Sequence, residues 1–160
     1  MNELHPLVKE SLEKYGLDYK VFDCDPTLAD TAAFCEHYGY QFEQSANTII
    51  VALKTNPVNY VCCVVLATTK LDVNKKLREV TGKKGSFASM DQTIEQTGME
   101  IGGVTAVGVE HMPIYVDAAV FEQEEIVMGG GNRLTKVLLN PHELKKIPQV
   151  QIVQDLAILK

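Results

Sequence analysis

Leu7, Val8, Leu12 and Tyr15 recur at helical intervals in HPLVKESLEKYG, and Gly16 supplies a stop, so the chain opens with a helix. DYKVFDC then alternates as a half-buried strand does. ADTAAFCEHYG predicts a short second helix with Asp30 as its N-cap and Gly39 as its end. The pattern changes at NTIIVALKT and NYVCCVVLA. Few charges and many β-branched residues predict two central strands, joined as a hairpin across Asn56 and Pro57. Asp72 opens a helix that runs through Arg78 and ends near Gly82, and SMDQTIEQTG sets Ser89 and Gln92 at capping-box spacing before a stop at Gly98.

Beyond residue 100, strands and glycine loops predominate: IGGVTAVG, MPIYVD, EIVMGGGNR and TKVLL. NPHELKKI predicts a short helix with Asn140 as cap, Pro141 in the first turn and Glu143 completing a capping box, and VQIVQDLA a closing strand. Helices scattered among hairpin-linked strands, without regular βαβ alternation, predict an α+β fold. It is a mixed, largely antiparallel sheet or partly closed barrel with flanking helices. No strand leads through Gly-x-Gly-x-x-Gly into a helix and no Gly-Lys-Ser/Thr closes a phosphate loop, which disfavours dinucleotide and P-loop chemistry.

The 160 residues hold no internal repeat, low-complexity tract or linker, so residues 1–160 are expected to form a single domain. With 46% hydrophobic and 22% charged residues, no apolar run of membrane-spanning length and a charged N-terminal stretch, the chain reads as soluble and cytoplasmic, with no membrane partner. Cys24, Cys35, Cys62 and Cys63 include no Cys-x-x-Cys and read as buried hydrophobes. On a strand, the adjacent Cys62 and Cys63 point to opposite faces. His5, His37, His111 and His142 lie too far apart for a local zinc motif, so nothing asks for a metal.

The net charge of −6 argues against general nucleic-acid binding. Residues 70–84, however, set six cations against two carboxylates. Such an island is able to hold phosphates locally; the alternative is a solvated helix face. Two glycine clusters also stand out, Gly102-Gly103 and Gly129-Gly130-Gly131, each beside a predicted strand. Glycine costs more backbone entropy on ordering than other residues, so bare backbone must be required there. Backbone N–H groups that hold a carbonyl, carboxylate or phosphate oxygen are one reason, and tight turns or bulges the other. The triple glycine favours close approach of a ligand.

In their order along the chain, these segments resemble the YbaK / prolyl-tRNA-synthetase-associated editing-domain family, whose members hydrolyse misacylated tRNAs. The resemblance runs through ADTAAFCEHYG, SANTIIVAL, LDVNKKLREVTGKKGSFAS, IGGVTAVGVEHMPIYVD, VMGGGNR and NPHELKKIPQVQIVQDLA, nearly the whole chain. It implies a barrel-like mixed sheet with a pocket for the aminoacyl ester of a tRNA 3′ end, and no metal or organic cofactor. Hydrolysis would lean on groups of the substrate, with the protein positioning the ester and a water.

Carried onto this chain, the resemblance assigns Asn47, Gly102 and Gly103 to the reaction. Thr31, Thr48, Val104, Thr105, Gly129, Gly130 and Gly131 fall to substrate binding. Lys75, Lys76, Lys83 and Lys84 of the basic island would meet acceptor-stem phosphates. The family's usual lysine falls on Asn47, which brings no positive charge. The central loop, normally Gly-x-x-x-Pro, ends here in Ala106. Lys136, where some members carry an acidic residue nearby, restores the missing charge if its side chain reaches the pocket. Lys54 is the weaker candidate, about 23 Å along an extended strand from Asn47 and on the opposite face.

The leading reading is a free-standing aminoacyl-tRNA deacylase for a small mischarged amino acid, with an aminoacyl-tRNA synthetase as a further partner. A non-catalytic module binding an aminoacyl-tRNA end, a nucleotide or a synthetase is the alternative. A hydrolase of a small acylated metabolite is a third.

Overall fold

The computed structural model describes residues 2–160. Helix α1, Pro6–Lys14, is capped by His5, whose Nδ1 accepts from the Leu7 N–H, and it buries Val8 and Leu12. Strand β1 spans Lys20–Asp23 and helix α2 spans Thr31–Tyr38, ended by the left-handed Gly39. Asp30 sits at the N-cap of α2 but makes no capping hydrogen bond, because its carboxylate pairs with Arg133 instead.

The two apolar runs form β2, Ala46–Leu53, and β3, Asn59–Leu66, paired antiparallel in the register Asn47↔Val65 to Leu53↔Asn59. A short β4, Thr69–Leu71, follows. The helix expected after Asp72 is a π-turn over Val73–Leu77 that runs into one turn of α-helix, α3, Arg78–Thr81. Next come β5, Gly85–Phe87, and α4, Met90–Thr97, with the Ser89–Gln92 capping box and the left-handed Gly98 in place.

IGGVTAVG is not a strand. Residues 101–113 form a looped connection, and Gly102 and Gly108 take φ of +91° and +103°, which extended pairing does not allow. It leads into β6, Ile114–Asp117, and then β7, Ile126–Gly129, pairs antiparallel with β8, Thr135–Leu139. Pro141–Lys146 is a 3₁₀ helix capped by Asn140. Glu143 closes no box there, since its carboxylate accepts from the Asp18 N–H and pairs with Lys146. The expected closing strand divides into β9, Val150–Val153, and β10, Ala157–Leu159.

The strands form a five-stranded mixed sheet, β5-β2-β3-β6-β9, a three-stranded antiparallel sheet, β1-β8-β7, and the pair β10-β4. A bridge between Ser45 and Val127 joins the two larger sheets without closing a barrel. The expected α+β fold with mixed sheet and flanking helices is therefore found, in its open form.

The two-residue period of each strand sorts the core. Ile50, Cys62, Val64, Ile114 and Val116 turn toward α1 and the three-stranded sheet, meeting Val8, Leu12, Met128, Val137 and Leu139. Val51, Leu53, Cys63 and Val65 face Leu71, Leu77 and Leu156 on the other side. The adjacent cysteines thus part to opposite faces, and burial pushes the Cys63 thiol up to about 12, which keeps it an inert apolar group. The second face of the three-stranded sheet carries Val127 and Leu138 and is covered by α2 through Phe34. Among the described residues no helix is long and apolar enough to cross a membrane.

Candidate active site

The layer between α2 and the three-stranded sheet is incompletely filled. By strand period, Gly129 shares its face with Val127, and Lys136 shares its face with Leu138. Where larger side chains would pack against α2, the chain offers a glycine and a lysine. The result is a cavity of about 310 Å³, whose walls include Thr31, Asn47, Thr48, Gly102, Val104 and Lys136.

Lys136 is the cation of the cavity, whose wall also carries the Asp30 carboxylate. Only 7% of the lysine is exposed. Its Nζ donates to the Ala29 carbonyl at 2.6 Å and the Gly102 carbonyl at 3.2 Å, and stands 5.4 Å from the centroid of the Phe34 ring. It forms no salt bridge among the described residues. Burial, the largest influence, holds its ammonium below the ordinary lysine value of 10.5, while Cys24, Asp30 and Cys35 oppose that shift. An ammonium has three donors, so two bonds to carbonyls leave one for a ligand.

The Thr31 hydroxyl donates to the Asn47 Oδ1 at 2.9 Å, which fixes the amide and leaves its Nδ2 without a partner among the described residues. The Thr48 hydroxyl is buried with no partner. The N–H groups of Gly102 and Val104 also lack protein acceptors among the described residues. An unpaired backbone N–H in a cavity wall invites a polar ligand.

Arg133 ties two walls of the cavity together from outside its lining. Its side chain donates to the Pro26 carbonyl at 2.9 Å and the Ile101 carbonyl at 3.0 Å, and pairs with Asp30 at 3.3 Å. This strap ties the 101–103 loop to the start of α2.

The glycines divide into two roles. Gly102 and Gly129 line the cavity. Gly103, Gly130 and Gly131 do not; they let backbones meet behind it. The Gly131 N–H donates to the Gly103 carbonyl at 2.7 Å, and the Gly131 carbonyl accepts from Glu100 at 3.0 Å. A Cβ on Gly103 would strike the backbone of Asn132, one on Gly130 the Thr135 side chain, and one on Gly131 the side chain of His5. Thr105 is fully buried outside the cavity wall, and its hydroxyl has no partner there.

The lysines of the island lie elsewhere. Lys75, Lys83 and Lys84 are exposed, and Lys76 approaches Glu79 at 4.0 Å. Lys54 lies with Lys84 and Arg78 in a separate cleft, so Lys136 alone among the lysines considered reaches the cavity. Its sequence signal is a single cation in the otherwise uncharged TKVLL. The Arg133–Asp30 strap had no sequence signal beyond opposite charge, since the pair is separated by more than half the chain.

Residues 25–147 match the family described as the aminoacyl-tRNA editing domain, and the chain belongs to that family. The uncharacterised protein YwhH of Bacillus subtilis (strain 168) is 32% identical over 114 residues, covering 65% of this chain and 72% of YwhH. The hypothetical protein APE2540 has the same fold, with a TM-score of 0.85 at 23% identity over 95% of this chain and 99% of its own. A candidate trans-editing enzyme for prolyl-tRNA synthetase gives a TM-score of 0.80 at 22% identity, covering 95% of this chain and 98% of the other. At these identities the two structures testify to fold alone.

Proposed function

We propose that this chain is a free-standing aminoacyl-tRNA deacylase, a cytoplasmic protein working as one 1–160 domain, that hydrolyses the ester of a small mischarged amino acid. The observation that carries the reading is the buried Lys136 ammonium, held by two backbone carbonyls with a donor to spare, in a cavity walled by Asn47 and the Gly102–Val104 loop. The ester carbonyl oxygen gains negative charge as water attacks its carbon. The spare ammonium N–H, with the N–H groups of Gly102 and Val104, meets that charge beside the buried Lys136. As the acyl C–O bond breaks, the ribose oxygen takes the proton that the water gives up, passed through the neighbouring ribose hydroxyl. Asn47, oriented by Thr31, holds the substrate's other polar groups through Nδ2.

The small volume favours a small side chain, although discrimination by one methylene is worth only about 1–3 kcal/mol. Lys75, Lys76, Lys83 and Lys84 lie on the surface that would take phosphates of the acceptor stem, and a synthetase that releases the mischarged tRNA is the natural partner.

A deacylation screen against a panel of mischarged tRNAs tests the reading. Release of a small amino acid from at least one of them is expected. No release from any, with retained tRNA binding, would make the chain a binding module instead. Within an active protein, Asn47→Ala should lower the rate about tenfold, the loss of one ordinary hydrogen bond of about 0.5–1.5 kcal/mol. Thr31→Val should lower it less, because it frees the amide without removing it. Equal rates for all three proteins would take Asn47 out of the site.

A further inference from the structure

The exposed aromatic Phe87 and the cations Lys54, Arg78 and Lys84 have no part in the cavity, yet β2, which walls the cavity at Asn47, leads toward them through its pairing with β5. Asn47, Ile49, Val51 and Leu53 share one face of β2 by strand period, and Phe87 and Gly85 stand opposite Val51 and Leu53 on that same face. An apolar groove of about 390 Å³ shares Thr48, Ile49, Gly102 and Val104 with the cavity and has Phe87 on its wall. Phe87 is 61% exposed, on the edge strand of the five-stranded sheet. A flat apolar ring there contributes little to the core.

At the other end of β5, a cleft of about 340 Å³ is lined by Lys54, Arg78, Lys84 and Asn74 without any carboxylate. The Lys54 N–H donates to the Lys84 carbonyl at 2.8 Å, which sets these two residues side by side. None of the three cations forms a salt bridge among the described residues. The nearby carboxylates are engaged: Asp72 caps the π-turn through the Lys75 N–H, and Glu79 faces Lys76. On a chain of net charge −6, three cations without partners around one cleft form a local anion site.

We propose that cavity, groove and cleft form one track for a single-stranded nucleic acid 3′ end: the terminal ester in the cavity, an unpaired base stacked on Phe87, and backbone phosphates gripped by Lys54, Arg78 and Lys84. Stacking platforms beside basic grooves are the general means of holding unpaired strands. Asn47 lies in β2 and Lys54 just past its end, where strand alternation no longer sets the side of Lys54. The distance along the chain is about 23 Å, a span that a stacked strand at about 3.4 Å per nucleotide covers in about seven nucleotides and an extended one in fewer. The proposal rests on the aminoacyl-tRNA reading for the identity of the ester but not for the path of the strand.

The test measures binding of a fluorescent oligoribonucleotide ending in an unpaired 3′ strand, and of a blunt duplex of equal charge, across a salt series. Phe87→Ala should weaken binding of the single strand about tenfold or more and leave the duplex unchanged. Lys54→Ala/Arg78→Ala/Lys84→Ala should make the log–log salt dependence shallower by about 2, the share of three single-strand phosphates at about 0.7 each. All these side chains are exposed, so melting temperature should hold in both variants. An unchanged affinity and salt slope would overturn the track. So would a Phe87→Ala loss that is equal for single strand and duplex, or a Phe87→Ala protein that changes only its oligomeric state. Hydrolysis is assayed separately, so a protein that binds as expected but cleaves nothing retains the track and loses the deacylase.

Discussion

Lys136→Met is expected to lower the single-turnover rate of deacylation by about 100- to 1,000-fold, the usual cost of removing one donor from the place where transition-state charge develops. Methionine retains the unbranched stem and apolar volume, so the packing against Phe34 is preserved. The folded protein should be at least as stable as before, because exchanging a buried charge for an apolar group of similar size is often neutral or stabilising. The Ala29 and Gly102 carbonyls lose a partner, which limits that gain. A large fall in rate with an unchanged melting temperature is the signature of a catalytic group.

The same lysine gives two pH effects. Because burial lowers its pKa, the ammonium is lost at a pH below the ordinary 10.5, and activity should decline on an alkaline limb that begins there. In the interval between the folded and unfolded values, the unfolded chain binds the extra proton and the folded one does not. Stability contributed through Lys136 therefore rises with pH across that interval. Both the alkaline limb and this rise should disappear in Lys136→Met, as read by rate–pH profiles and by denaturant titrations at several pH values.

Gly103→Ala and Gly129→Ala should produce the largest losses of stability. The added methyl of the first would lie against the backbone of Asn132, and that of the second against the carbonyls of Gly103 and Val104. Backbone cannot rotate aside as a side chain does, so the loop must move, at a cost of about 3 kcal/mol or more. For a chain of this length that lowers the melting temperature by roughly 6–12 °C. Gly39→Ala is the control. It lies in open space with a φ of +78° and should show only the left-handed strain of about 1–2 kcal/mol. Equal shifts at all three positions would mean that close backbone approach is not what the clusters are for.

These glycines show where the sequence was informative. Their clustering pointed to a ligand, yet three of the five lie behind the cavity rather than in it. From composition alone, a glycine that admits substrate and one that admits another backbone are indistinguishable. The hairpin of Ala46–Leu53 and Asn59–Leu66 was legible because alternation and β-branching act locally. The helical caps at Ser89 and Gly98 were legible for the same reason. IGGVTAVG was misread as a strand because its apolar content outweighed the two glycines that turn it. Glu143 failed to close its box because Asp18 and Lys146, one far off in sequence, compete for its carboxylate. Lys136 was readable only as a condition: a cation in an apolar strand must face something, but the cover of α2 over that face is a tertiary fact.

In the proposed reaction an ammonium carried by β8 performs the task for which the family resemblance places a lysine at position 47. Single-turnover deacylation by Lys136→Met/Asn47→Lys, set against Lys136→Met alone, tests it most directly. The relocated cation should recover at least tenfold of the lost rate, because both positions wall the same cavity. A Lys136→Met protein that already hydrolyses mischarged tRNA at the unmodified rate, leaving nothing for the second change to recover, would contradict it.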